Sequence, residues 1–284
     1  MQLTCVAART GRLSSFLKGE LKMSTGLMNR LKWGDAIRVN GAPQHTDFAV
    51  QPGDVITVRL DEPAAQYPAE YGALTVLYED DHILAVDKPA GMLIHPSHSQ
   101  NSGTLANFVL GYYEKNGQQA AFHPVTRLDR DTFGVVLLAK NSHIHALLQG
   151  GDVQKIYHAL VFGGPREEHG AIDAPIARRP LPSLLREIAP HGKPSVTEFT
   201  VLERMEKTAL LALKPITGRT HQLRLHCAHM GFPILGDPQY GNEESQALSA
   251  QLGYTYQRLC AHSVTFIHPI TEKTITITTL MDAK

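Results

Sequence analysis

Seven consecutive residues, Phe133-Gly134-Val135-Val136-Leu137-Leu138-Ala139, carry no polar side chain. The run is far too short to cross a bilayer. Within it, Val135–Ala139 reads as a fully apolar strand, so the chain must supply a sheet around it and cover on either side. The surrounding pattern provides both. Leu74–Tyr78 and Ile83–Val86 read as paired strands around Glu79-Asp80-Asp81. Tyr157–Val161, Ser195–Leu202, Ala209–Leu213, Val264–Ile267 and Thr274–Thr279 read as further strands. Thr104–Tyr113 is helical, a second helix is capped by Asn141, and a third spans Thr220–Met230 and stops at Gly231. Strands beside one another with irregularly spaced helices predict an α+β fold with a mixed sheet, not a doubly wound one.

The first 60 residues follow another pattern. Leu13, Phe16, Leu17 and Leu21 recur at helical spacing, and Ser24 can cap a short helix through Leu27, Met28 and Leu31. Ile37–Val39 runs into an Asn40-Gly41 turn, and Val55–Leu60 follows a Pro52-Gly53-Asp54 turn. A small module over residues 1–62, a Pro- and Ala-containing linker over 63–73 and a large domain over 74–284 follow from this change. Lys+Arg and Asp+Glu are both 27 in the whole chain, which argues against indiscriminate binding of nucleic acid by bulk charge. Residues 1–60, however, hold eight Lys/Arg against four Asp/Glu, leaving 19 against 23 for the rest. A basic module beside a larger, slightly acidic domain is the consequence.

Hydrophobic residues at 43% with 19% charged residues are globular, not disordered, composition. Cys5, Cys227 and Cys260 are far apart with no C-x-x-C pattern, so a reducing, cytoplasmic setting is expected. The N-terminus has no apolar segment of signal-peptide length. Neither G-x-G-x-x-G nor G-x-x-x-x-G-K-[ST] occurs, so no nucleotide cofactor is expected.

Two clusters can carry chemistry. Arg127-Leu128-Asp129-Arg130-Asp131-Thr132 sets two acids among two arginines just before the apolar strand. Nearby positive charge favours a carboxylate there, and a carboxylate can act as a nucleophile. From charge alone, a solvated turn with ordinary salt bridges is the better reading. In the second cluster, Pro215–Arg224, Thr220 can cap a helix whose first-turn N–H groups attract phosphate. Leu223, Cys227 and Met230 form its apolar stripe, leaving Arg224 free to reach a neighbouring element. Of His221, His226, His229 and Cys227 only the His226–His229 pair has a same-face spacing, with no H-E-x-x-H or cysteine pair to support it, and no metal is expected.

Five segments in order resemble the RluA-type family of pseudouridine synthases: Ile83–Pro96, Arg127–Lys140, Lys155–Leu160, Pro215–Gly241 and Leu259–Pro269. The resemblance implies the family's largely antiparallel catalytic sheet. It implies that Asp129 attacks the target uridine, that Tyr157 packs on the uracil ring and assists loss of the C5 proton, and that Arg224 pairs with Asp129. Arg127, Thr126, Leu225, Arg219 and His221 would contact the substrate. Thr126 stands where the family commonly has His, and Phe133 where it has a small Ser. Residues 12–60 resemble, less strongly, the αL RNA-binding domain, with Ser14 in place of its usual Asp. That likeness makes Arg12, Lys22, Arg30, Lys32 and Arg38 candidate RNA contacts. The implied reaction is an isomerisation, needing no redox cofactor, on a base extruded from structured RNA. Large-subunit ribosomal RNA is the expected substrate of a monomer; a tRNA substrate and a non-catalytic RNA-binding protein are the alternatives.

Overall fold

The computed structural model describes residues 2–61, 67–97, 100–180, 182–183 and 185–283. Its first body contains β1 (Gln2–Val6), β2 (Gly11–Arg12), α1 (Leu13–Gly19), α2 (Thr25–Leu31), β3 (Ile37–Val39), β4 (Ala42–Pro43), β5 (Ala49–Val50) and β6 (Val55–Arg59). The order β1-β6-β3-β4 makes a small antiparallel sheet. Leu13, Phe16 and Leu17 of α1 bury against Ile37, Ile56 and Val58 of that sheet. Ser24 accepts the amide of Leu27 and so starts α2 as expected. Asn40 and Gly41 both adopt positive φ, the conformation that a two-residue hairpin turn requires.

The second body contains β7 (Thr75–Glu79), β8 (Ile83–Lys88), α3 (Leu105–Lys115), β9 (His123–Pro124), β10 (Phe133–Ala139), α4 (Ser142–Gly150), β11 (Val153–Phe162), β12 (His169–Asp173), β13 (Ile176–Arg178), β14 (Arg186–Ile188), β15 (Val196–Arg204), β16 (Thr208–Pro215), α5 (Gln222–His229), α6 (Glu243–Gln251), β17 (Leu259–Ile267) and β18 (Thr274–Thr278). Its sheet runs β12-β15-β16-β11-β17-β10-β8-β7, with β18 beside β17 and β9 beside β10. The sheet is mixed and mainly antiparallel, the class that the strand pattern and the resemblance implied; β10–β17 is its parallel pair. The apolar run is central, and all seven of its residues are buried. Val135, Leu137 and Ala139 pack with α4, whereas Val136 and Leu138 pack with α3. Alternation within one strand therefore serves both layers.

Residues 63–66 of the expected linker lie outside the described residues. Residues 67–73 are held against α3: Glu70 accepts the Gly103 amide through both carboxylate oxygens, and Asn107 donates to the Pro68 carbonyl. The two bodies touch where Lys22 donates to Glu272 at 2.7 Å and to the Pro269 carbonyl at 3.2 Å, and where His143 meets the Leu21 carbonyl at 3.1 Å. Among the described residues, no helix is long and apolar enough to cross a membrane.

Candidate active site

Asp129 sits in the turn that delivers the chain into β10. Three anchors hold that turn. Fully buried Lys88, at the end of β8, donates to the carbonyls of Arg130, Pro89 and Met92 at 2.8, 2.9 and 2.9 Å. Gln257 donates to Thr132 Oγ1, and the Asp129 carbonyl accepts the Thr132 amide. Gly134 is the third. Its φ is +106°, and a Cβ there would lie 2.4 Å from the Ala261 carbonyl oxygen. A side chain would part β10 from β17 directly beneath the turn. Burial lowers the Lys88 pKa to about 8, against the opposing pull of Asp131 and Asp129.

Arg224 reaches the Asp129 carboxylate from α5 at 3.3 Å, while Asp129 remains 30% exposed at the surface. The same guanidinium forms a bidentate pair with Asp237, at 2.7 and 2.8 Å, and donates to Gln239 at 2.8 Å. The Tyr240 ring lies 5.1 Å away. Burial disfavours the Arg224 charge, but Asp237 and then Asp129 outweigh it, so its pKa rises. Asp237 also accepts the amides of Gln239 and Tyr240, so one carboxylate shapes a turn and fixes a guanidinium. Tyr157 is buried on β11, opposite Leu213 and Ala261. Burial first, then the Asp129 charge, pushes its phenol far up.

The helix start differs from the expectation. Thr220 is exposed, and the cap residue of α5 is His221, at φ +57° and without a side-chain capping bond. Gln222 does the bonding instead. Its oxygen accepts from Arg219 N and Thr217 Oγ1, and its amide donates to Val196 O and Thr197 Oγ1. His221 Nδ1 lies 2.9 Å from the Tyr240 hydroxyl and its Nε2 is 4.0 Å from Asp129. Burial lowers the His221 pKa; Asp129 opposes this and Arg224 and Arg186 add to it. Met230 leaves the expected stripe and is exposed, because α5 ends before it. His226 is buried with its ring nitrogens on Thr197 Oγ1 and Ala174 O.

The other nominated residues divide. Arg127 is exposed at the turn, and Leu225 is buried. Thr126 is also buried, its hydroxyl accepting the Leu137 amide, so it is a strand anchor and not a surface contact. Arg219 lines a cleft of about 470 Å³ with Thr220, Arg178, Arg186, His191 and Lys193, and no acid lines it. The sequence reading did not nominate Arg178, Arg186 or Lys193, nor Asp237. A charge count over residues 178–193 would have exposed the first three. In the small body, Arg12 and Arg30 are exposed. Lys22 is paired with Glu272, and Arg38 is braced onto Asp35 and the Gly41 carbonyl, so these two candidate RNA contacts already hold partners within the protein.

The family model described as RNA pseudouridylate synthase matches residues 82–229. The Bacillus subtilis (strain 168) RNA pseudouridine synthase YhcT is 36% identical over 270 residues, which are 93% of this chain and 87% of that one. The ribosomal large subunit pseudouridine synthase C of Vibrio cholerae is 32% identical over 288 residues, 96% of this chain and 90% of that one. Among solved structures, human RNA pseudouridylate synthase domain containing 1 superposes with a TM-score of 0.61 at 25% identity, covering 76% of this chain and 86% of that one.

Proposed function

Since the chain belongs to the RNA pseudouridine synthases, which are isomerases, we propose that it converts uridine to pseudouridine in large-subunit ribosomal RNA with Asp129 as nucleophile. The observation that carries this reading is Arg224 fixed by Asp237 and Gln239 with its remaining edge directed at a partly exposed Asp129 carboxylate. A carboxylate held in that way needs no reorientation when it attacks. The reaction breaks N1–C1′ and forms C5–C1′; C5 gives up its proton and N1 ends protonated, so atoms and electrons balance. Tyr157, with its raised pKa, is a neutral ring at physiological pH and suits stacking on the uracil. Its hydroxyl has no hydrogen-bond partner among the described residues, which leaves it available to a flipped base. Arg127, exposed beside Asp129, would hold the extruded nucleotide.

The cleft of Arg178, Arg186, Lys193 and Arg219 supports a path for the strand flanking that nucleotide, since phosphates need such cations. The ribosomal assignment follows from the Vibrio relative's name. Asp129→Asn is expected to abolish pseudouridine formation while RNA binding persists; normal turnover by that variant removes Asp129 as nucleophile. Mapping pseudouridines in total RNA with and without the gene names the substrate. A site in tRNA alone would overturn the ribosomal assignment.

A further inference from the structure

Trp33 is the chain's single tryptophan. It follows α2 and stays 79% exposed. The two phenylalanines of the same body go inward: Phe16 is buried and Phe48 packs on the common core. That core is complete without the indole. A large flat ring left in water is suited to cover by a partner.

The neighbouring charges narrow what the partner is. Asp35 is occupied by Arg38 at 3.2 Å and Arg59 at 3.3 Å. Asp47 is held by His45 at 2.7 Å. Arg30 and Lys32 have no carboxylate partner among the described residues, and they precede the indole by three residues and by one in the chain. The Lys32 ammonium lies 5.2 Å from the Trp33 ring, and the His45 ring is 5.1 Å away, tilted by 45°. An exposed π-face beside unneutralised cations suits a planar group that carries negative charge. A nucleotide is such a group: its base stacks and its phosphate meets the cations.

We propose that Trp33, with Lys32 and Arg30, is a stacking platform for an unpaired nucleotide of the RNA substrate. It belongs to a body separate from the residues around Asp129. The inference rests on RNA being the substrate, and it is independent of the role assigned to Asp129. Only looped or single-stranded RNA can use the platform, because a duplex hides the faces of its bases.

Indole fluorescence of the full-length protein reports on this position alone. Titration with a single-stranded oligoribonucleotide is expected to quench it, and a blunt duplex of the same length is expected to quench it far less. Trp33→Ala should weaken binding by about tenfold, raising KM for RNA while kcat at saturation is unchanged. Trp33→Phe should recover most of the affinity, as a ring-stacking role requires and a folding defect does not. Asp129→Asn protein should quench as the parent does, so failure of the catalytic assignment would be seen separately. Emission of the parent protein left unquenched by the single strand overturns the platform, as does full affinity in Trp33→Ala or equal quenching by duplex. A dimer formed without RNA, seen by sedimentation and dissociated by Trp33→Ala, would assign the indole to a contact between copies and also overturn it.

Discussion

Arg224–Asp237 and Lys22–Glu272 are both ion pairs with a shortest distance of 2.7 Å. The first has side chains 5% and 1% exposed, and the second 41% and 70%. The first sits under the candidate active site and the second joins the two bodies. Equal distances therefore conceal opposite energetics. A buried pair is costly to assemble and far more costly to break, because either partner alone is a stranded charge. An exposed pair is screened by water and salt and contributes little. Rigidity is thus concentrated where Asp129 must be met, whereas the Lys22–Glu272 pair contributes little to holding the two bodies together.

The largest effect expected in a test of this contrast is that of Asp237→Ala. It should cost about 3–5 kcal/mol of stability, measured by denaturant unfolding, and remove turnover. A loss below about 1 kcal/mol would show that Arg224 finds another partner and that the contrast fails.

Next comes Lys88. Its pKa is about 8 in the folded protein against an ordinary 10.5, so between those values the unfolded chain binds more protons. Stability from this group therefore rises with pH through that window. A neutral amine has two hydrogens for three carbonyls, so the Asp129 turn loses a bond in the same window. Turnover should fall by roughly fivefold, the worth of about one hydrogen bond, while the melting temperature does not fall with it. Parallel loss of both in pH-rate and thermal scans would contradict the assignment. The smallest effect belongs to Glu272→Gln. It should leave thermal stability nearly unchanged at physiological salt, with any difference vanishing as salt is raised; a large, salt-independent loss would place this junction in the same class as the buried pair.

Most strands of the central sheet, though not β9 or β12, and the starts of α2 and α4 were legible because their causes are local. Alternation, a seven-residue apolar run, and Ser24 or Asn141 before a helix act within a few residues. The pairing of Asp129 with Arg224, 95 residues apart, came from the resemblance, since no local rule joins them. Asp237 was missed because its Asx-type turn looks ordinary in sequence and its partner lies on another element. Thr220 was chosen as the cap from residue type, yet Gln222 reached the same loop groups with a longer side chain. Strands β13 and β14 span three residues each, too few for a period to show, and they bring Arg178 and Arg186 to the basic cleft. Lys22 and Arg38 were counted as positive charge, but counting does not reveal which cations are already engaged.

The parallel contact of β10 with β17 extends over only Phe133–Cys260 and Gly134–Ala261. Asp129 belongs to the half of the sheet that contains β7, β8 and β10, whereas Tyr157 and Arg224 belong to the other half. Neither half of the chain holds a complete set of the proposed reacting groups. The proposed site therefore exists only where the two halves of the sheet are joined, and a change that parts β10 from β17 would separate Asp129 from Tyr157 and Arg224 without altering any of the three.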